Sequence, residues 1–85
     1  MKNVKLFEEF INEADMTKLY DGFIVLDRKN QKTYKFRYVK GIKNVTVEND
    51  AIAKLEKETG ESRSNFAVHG FVKKGEWNES EAEVL

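Results

Sequence analysis

Few side chains in this 85-residue sequence could carry out chemistry, because it contains one histidine and no cysteine. Without cysteine there is no disulfide and no thiolate zinc site, and a single imidazole cannot supply the several ligands of a transition-metal centre. His69 could act as a general base only if another reactive group converged on it, and the nearest hydroxyls along the chain belong to Ser62 and Ser64. Gly70 and Gly75 lack the spacing of a phosphate-binding loop. We therefore predict no catalytic residue, no metal, no cofactor and no enzymatic activity.

Basic residues are concentrated between positions 28 and 43, where no acidic residue occurs, whereas positions 76 to 83 hold four glutamates and no base. This segregation fits either an anion-binding face or two parts of one domain that attract each other. Lys35 and Arg37 would share the solvated face of a strand and could follow a phosphate backbone. A charged outer face on a small sheet explains them equally well. The candidate anion-binding or nucleic-acid-binding residues are Arg28, Lys29, Lys32, Lys35, Arg37 and Lys43.

The hydrophobic pattern predicts an antiparallel hairpin that positions these basic residues. Residues 22–28 and 32–39 are rich in β-branched and aromatic side chains, and the polar residues between them predict a turn in which Asn30 takes a positive φ angle. Aromatic side chains alternate with basic ones in the second strand, which predicts one buried and one solvated face. The β-branched residues in positions 41–47 predict a third strand, in which Val45 and Val47 point inward.

Helices are predicted on either side of this hairpin. Apolar residues at helical spacing predict an amphipathic helix over residues 1–13, and a second helix should span residues 49–59, with Gly60 at its C-terminal cap. Residues 65–77 fit a strand or a helix, and Gly70 favours the strand, which would place Phe66, Val68 and Val72 on one side. The fold class is thus α+β: an N-terminal helix, an antiparallel sheet of three or four strands, and one helix before the last strand. Residues 14–77 would form the domain, followed by a frayed acidic tail over residues 78–85.

The opening stretch resembles the capsid-targeting leaders of internal head proteins in myovirus-type tailed bacteriophages. Phe7-Glu8-Glu9-Phe10 matches the docking helix of that family, and Ile11-Asn12-Glu13 followed by Ala14 matches the pattern cut by its maturation protease. The resemblance covers about 14 residues, and the same residues would also make an ordinary first helix. It implies packaging in the head through the prohead core, cleavage after Glu13 and delivery with the DNA. The leader residues are Phe7, Phe10, Ile11, Glu13 and Ala14.

Residues 44–74 show a second resemblance, to ribbon-helix-helix DNA-binding domains. In that family one strand from each of two chains forms a ribbon that enters the major groove, and Lys43, Asn44 and Thr46 would then read bases. The interval from Val47 to Gly60 is shorter than in the family. The residues at family-like positions are Ile52, Leu55, Gly60, Ser62, Arg63, Ser64, Phe66 and Phe71.

Together these observations predict a small bacteriophage accessory protein that binds and inhibits a host macromolecule such as a defence factor. Its partners would be a host protein or nucleic acid, with no membrane attachment, and its location the virion interior and then the host cytoplasm, since no secretion signal is apparent. The alternatives are a dimeric ribbon-helix-helix regulator and, third, a single-stranded nucleic-acid binder.

Overall fold

The computed structural model describes residues 16–85. The predicted N-terminal helix and the leader residues Phe7, Phe10, Ile11, Glu13 and Ala14 lie outside the described residues. Within them, one α-helix and a four-stranded sheet confirm the predicted α+β class. The elements are strand β1 (Tyr20–Asp27), strand β2 (Lys32–Arg37), helix α1 (Asn44–Thr59), strand β3 (Phe66–Lys73) and strand β4 (Glu83–Val84). Short 3₁₀ turns occupy Met16–Lys18, Arg63–Asn65 and Trp77–Glu79.

The sheet has the strand order β3-β1-β2-β4. β1 pairs antiparallel with β2, which confirms the predicted hairpin, although Gln31 rather than Asn30 takes the positive φ angle of its turn. β3 is antiparallel to β1 on the other side. β4 runs parallel to β2, so the sheet is mixed and not purely antiparallel as predicted.

One face of the sheet packs against α1. Ala51, Ile52 and Leu55 of the helix meet the buried side chains of the strands, because positions i, i+1 and i+4 share one side of a helix. The alternating aromatics of β2 all point into this core, as their spacing predicts. The buried strand and flanking residues of this core are Phe23, Val25, Tyr34, Tyr38 and Phe66.

Helix α1 begins five residues earlier than predicted, at Asn44, so residues 44–47 do not form the third strand. The β-branched residues there suggested a strand, but Val47 packs against the core from the helix, where tertiary burial outweighs their weak local preference. The predicted end is confirmed: Gly60 has φ 79° and its N–H donates to the Glu56 carbonyl at 2.9 Å.

The opposite face of the sheet is covered by the C-terminal segment. The Trp77 ring lies over Gly22, Lys35 and Arg37, and the carbonyls of Trp77 and Ser80 accept hydrogen bonds from the Lys35 ammonium group. Glu83–Val84 then pairs with β2. The predicted frayed tail is therefore wrong for this part of the chain, because a buried cation on β2 and an open strand edge both hold it.

Candidate functional site

The six predicted anion-binding residues do not form one free basic face. Lys29 forms an ion pair with Glu61 at 3.2 Å, and Lys32 lies 3.9 Å from Glu83. The Arg28 guanidinium donates to the Ser64 carbonyl at 3.4 Å. Lys43 lies apart from them, just before α1. The turn end of the hairpin is thus occupied by contacts within the chain, which favours mutual attraction of two oppositely charged parts over a phosphate-binding face.

Lys35 and Arg37 share one face of β2, but they differ in exposure. Lys35 is only 7% exposed, which contradicts its predicted solvated position. Its Nζ lies 3.1 Å from the Ser80 carbonyl oxygen and 4.8 Å from the centre of the Trp77 ring. Arg37 is exposed and stacks its guanidinium 4.2 Å from the same ring. Both cations therefore hold the C-terminal segment, since cation–π contacts and carbonyl acceptors replace part of their hydration.

A shallow cavity of about 330 Å³ opens beside this arrangement. Lys35, Arg37 and Lys54 supply positive charge, and Phe36 and Trp77 supply aromatic surface. Single-strand binders place bases on exposed aromatic rings next to basic residues. Here the Trp77 ring already carries Arg37 and lies on Gly22, so its faces are engaged within the chain.

The Asp27 carboxylate is fully buried and accepts several hydrogen bonds. Asn65 Nδ2 donates at 2.7 Å, Asn30 Nδ2 at 2.9 Å and the Asn30 backbone N–H at 3.2 Å. Burial alone would raise the pKa of this carboxyl, but these donors and the Lys29 N–H outweigh burial and hold the pKa below its ordinary value. The residue is a structural anchor that joins the hairpin turn to the segment before β3.

Tyr38 is a second buried polar anchor. Its hydroxyl donates to Glu48 Oε2 at 2.6 Å, which ties the end of β2 to the second turn of α1. Burial and the neighbouring Glu48 carboxylate raise the pKa of the Tyr38 phenol well above its usual value. The phenol therefore stays protonated and acts as a permanent donor.

His69 does not meet the hydroxyls considered as its partners. It lies exposed in β3, whereas the Ser62 and Ser64 hydroxyls hydrogen-bond each other at 3.0 Å. No group of three histidine, aspartate or glutamate residues within positions 16–85 could hold a metal ion. No helix in that same part of the chain is long and apolar enough to cross a bilayer.

The largest departure from the predicted pattern is an apolar strip along β3. A register shift pairs Val25 with Val68 but Ile24 with Gly70, so His69 is the extra residue of a β-bulge. Cross-strand partners share a face, so Val68 and Phe71 lie on the α1 side and not on opposite sides as strict alternation predicts.

Val68 and Phe71 are substantially uncovered. Phe71 is 48% exposed and Val68 38% exposed, and Tyr20 stacks on Phe71 with ring centres 4.8 Å apart. We call Tyr20, Val68 and Phe71 the β3 apolar strip. Its sequence signal is Gly70, because a glycine inside a strand often marks a bulge.

β3 is also an edge of the sheet. Only β1 pairs with it within the described residues, so its outer side presents backbone donors and acceptors. Val72, predicted to share a side with Phe66, instead pairs with Gly22 on the opposite face and is 3% exposed. The bulge thus divides the apolar residues of β3 between both faces and leaves the strip as surface.

Comparisons with protein-family models, with curated proteins and with solved structures gave no match. The described elements also differ from those that the ribbon-helix-helix resemblance implies. The ribbon residues Asn44 and Thr46 lie in a helix, and the second helix of that fold is replaced by the strand Phe66–Lys73.

Proposed function

We propose that this chain is a small bacteriophage accessory protein, packaged in the head and delivered with the DNA, that binds and inhibits a host protein such as a defence factor. The head-targeting part of the proposal is supported by the leader-like residues 1–14. The binding part is supported by one structural observation, the exposed β3 apolar strip on a sheet edge that pairs with no other strand among residues 16–85.

An aromatic side chain on a sheet edge is a typical anchor for a protein partner. Phenylalanine is enriched in interface cores, where burying its ring contributes about 1.5–3 kcal/mol. The edge of β3 adds backbone groups that a partner strand could pair with. Phe71 would be the central contact, with Tyr20 stacked behind it to keep the ring in place.

A protein partner is favoured over nucleic acid because several of the candidate basic side chains already contact other parts of the chain. Lys29, Lys32 and Lys35 each contact an acidic or carbonyl group of the chain itself. Neutralising phosphates would compete with these contacts, whereas no other part of residues 16–85 covers the β3 apolar strip.

The test is capture from a host lysate by the 85-residue chain, compared with two single-residue variants. Phe71→Glu places a charge in the strip, and Val84→Glu places the same charge at an exposed apolar residue of β4. We expect one host protein to be captured by the original chain and by Val84→Glu. With the captured host protein purified, Phe71→Glu should raise the Kd of the complex by about tenfold or more. A tenfold change corresponds to about 1.4 kcal/mol.

Circular dichroism of both variants controls for folding. Equal capture by all three chains would contradict a role for the strip, and capture that disappears after nuclease treatment would indicate nucleic acid instead. The delivery part is tested separately by the intact mass of the protein in mature particles. A chain beginning at Ala14 is expected, and an uncut chain or absence from the particle would refute the leader.

A further inference from the structure

We infer that the β3 apolar strip is an intramolecular docking site for residues 4–14 of the same chain. The inference rests on the uncovered surface of β3, on where the described chain begins and on the pattern of the residues that precede it. It names one occupant, which the spacing of its side chains, its tether and its charge all fit.

The spacing of apolar residues fits the strip. Val68 and Phe71 pair with Val25 and Phe23, which are two residues apart on β1. Their side chains are therefore separated by about 7 Å along the sheet. Residues four apart on a helix lie about 6 Å apart along its axis. Phe7 and Ile11 have that separation in the predicted amphipathic stripe, and Phe10 lies beside Ile11. The apolar side chains of the segment can therefore meet the two exposed residues of β3.

The tether brings the segment to the correct edge. The backbone N–H of Lys74 donates to the Leu19 carbonyl at 3.2 Å, and Lys74 Nζ donates to the Thr17 carbonyl at 2.8 Å. The chain before β1 is thus fixed beside the end of β3, next to Phe71. Eleven helical residues would extend about 16 Å from there, which is less than the length of an eight-residue strand, about 26 Å. The segment can lie along β3 without reaching past it.

The charges of the segment are compatible with docking on β3. Residues 1–15 carry four acidic and two basic side chains, whereas positions 69–74 carry Lys73 and Lys74 and no acidic residue. Glu8 and Glu9 fall on the side of the predicted helix opposite to its apolar stripe, so docking leaves them in water. Such exposed charges contribute little to affinity, and Glu76 and Glu79 lie near Phe71 and Lys73, so the apolar contacts and not the charges would hold the segment.

The covalent link to the sheet also offsets the low stability of a short isolated helix. An isolated helix of this length is marginal in water. A tether of a few residues gives an effective concentration on the order of millimolar, so even a contact that would be weak between separate molecules is populated within one chain.

Paramagnetic relaxation enhancement tests the proposal in the full 85-residue chain. Because the chain has no cysteine, Glu9→Cys provides a single site for a spin label on the polar side of the segment. We expect strong broadening of the amide signals of Val68 to Phe71, and little at Glu83 and Val84 on the far edge of the sheet. The same label in a chain with Phe7→Asp and Phe10→Asp should lose the effect on β3.

Unchanged sheet amide shifts in that triple variant would show that the fold is intact. Broadening that is even across the sheet, strongest at β4, or insensitive to the two phenylalanine substitutions would overturn the proposal. Broadening of the β3 signals that depends on protein concentration would show that the segment contacts a second copy of the chain. This result would also overturn the proposal.

One consequence rests on the proposed function: a host partner that uses the strip must displace the segment. The full chain with Phe7→Asp and Phe10→Asp should then capture more of that partner than the original chain. If capture depends on Phe71 but not on Phe7 and Phe10, and the label has no effect on β3, the intramolecular docking is refuted and the proposed function is retained. If the label broadens β3 signals but no host protein is captured, the docking is supported and the proposed function is refuted.

Discussion

Gly22 illustrates how a single position constrains this small sheet. A Cβ atom there would lie 2.0 Å from the Phe36 carbonyl oxygen and 3.0 Å from the Trp77 ring. Backbone atoms cannot move aside cheaply, since β1 is bonded on both sides. The glycine is therefore required by close approach of neighbouring chain segments, whereas Gly70 in β3 has nothing within 4 Å of the same added atom.

We predict that Gly22→Ala lowers the free energy of unfolding by about 3 kcal/mol, the upper range for overpacking. Gly70→Ala is the matched control, because both residues lie in strands and only one is crowded. Its effect should stay within about 0.5 kcal/mol. Urea titrations of the three chains measure both values, and equal losses for the two variants would show that crowding at Gly22 is relieved by relaxation.

Among the elements, the C-terminal segment depends on contacts that the sequence pattern did not indicate. Alternation along β2 predicts the buried aromatic face correctly, because period two is set by the strand backbone. It also places Lys35 in water, and this is wrong because Trp77 and Ser80, more than 40 residues later, supply acceptors for its ammonium group. Local patterns do not encode such distant partners. The same limitation applies to β3: Gly70 is compatible with a bulge, but only the register with β1 places the extra residue at His69.

Lys35→Met should release the C-terminal segment from the sheet. Methionine keeps the apolar stem but cannot donate to the two carbonyls, so we expect a loss of about 1–2 kcal/mol in the free energy of unfolding. Trp77 is the only tryptophan, and its emission should shift to longer wavelength as the ring becomes hydrated. Lys32→Met on the same strand is the control, since its ion pair is exposed and long. Identical spectra for the two variants would contradict this role of Lys35.

For the whole molecule, Asp27 connects parts of the chain that are far apart in sequence. Its carboxylate binds Asn30 in the hairpin turn and Asn65 before β3, 38 residues away. Asp27 falls inside the predicted strand 22–28, whose pattern gives no sign of a buried charge. Its burial depends on Asn30 and Asn65, and the second of these lies far away along the sequence.

The pH dependence of stability should reflect this carboxylate. Its folded-state pKa lies below the unfolded value of about 3.9. Its contribution is therefore complete above that pH and is lost as pH falls through the folded-state pKa. We predict that Asp27→Asn costs about 2 kcal/mol at neutral pH and progressively less in acid.

Urea unfolding at neutral pH and at about pH 2.5, below the unfolded-state pKa, measures this difference. Asp50→Asn, on the exposed side of α1, should leave the stability of the chain nearly unchanged at both values. A penalty for Asp27→Asn that does not shrink in acid would mean that the lost contacts are not those of the charged form.

The strand order also has a consequence for synthesis on the ribosome. The central hairpin is completed at Arg37, but the strands that flank it, Phe66–Lys73 and Glu83–Val84, are translated well after it. During elongation the nascent hairpin therefore has two open edges, and its aromatic face has no helix until residue 59 has emerged. Non-local pairing of this kind folds slowly and exposes aggregation-prone strands. The sheet should thus be completed only after residue 84 has emerged from the ribosome, and chaperones that hold extended apolar segments should raise the yield of folded protein.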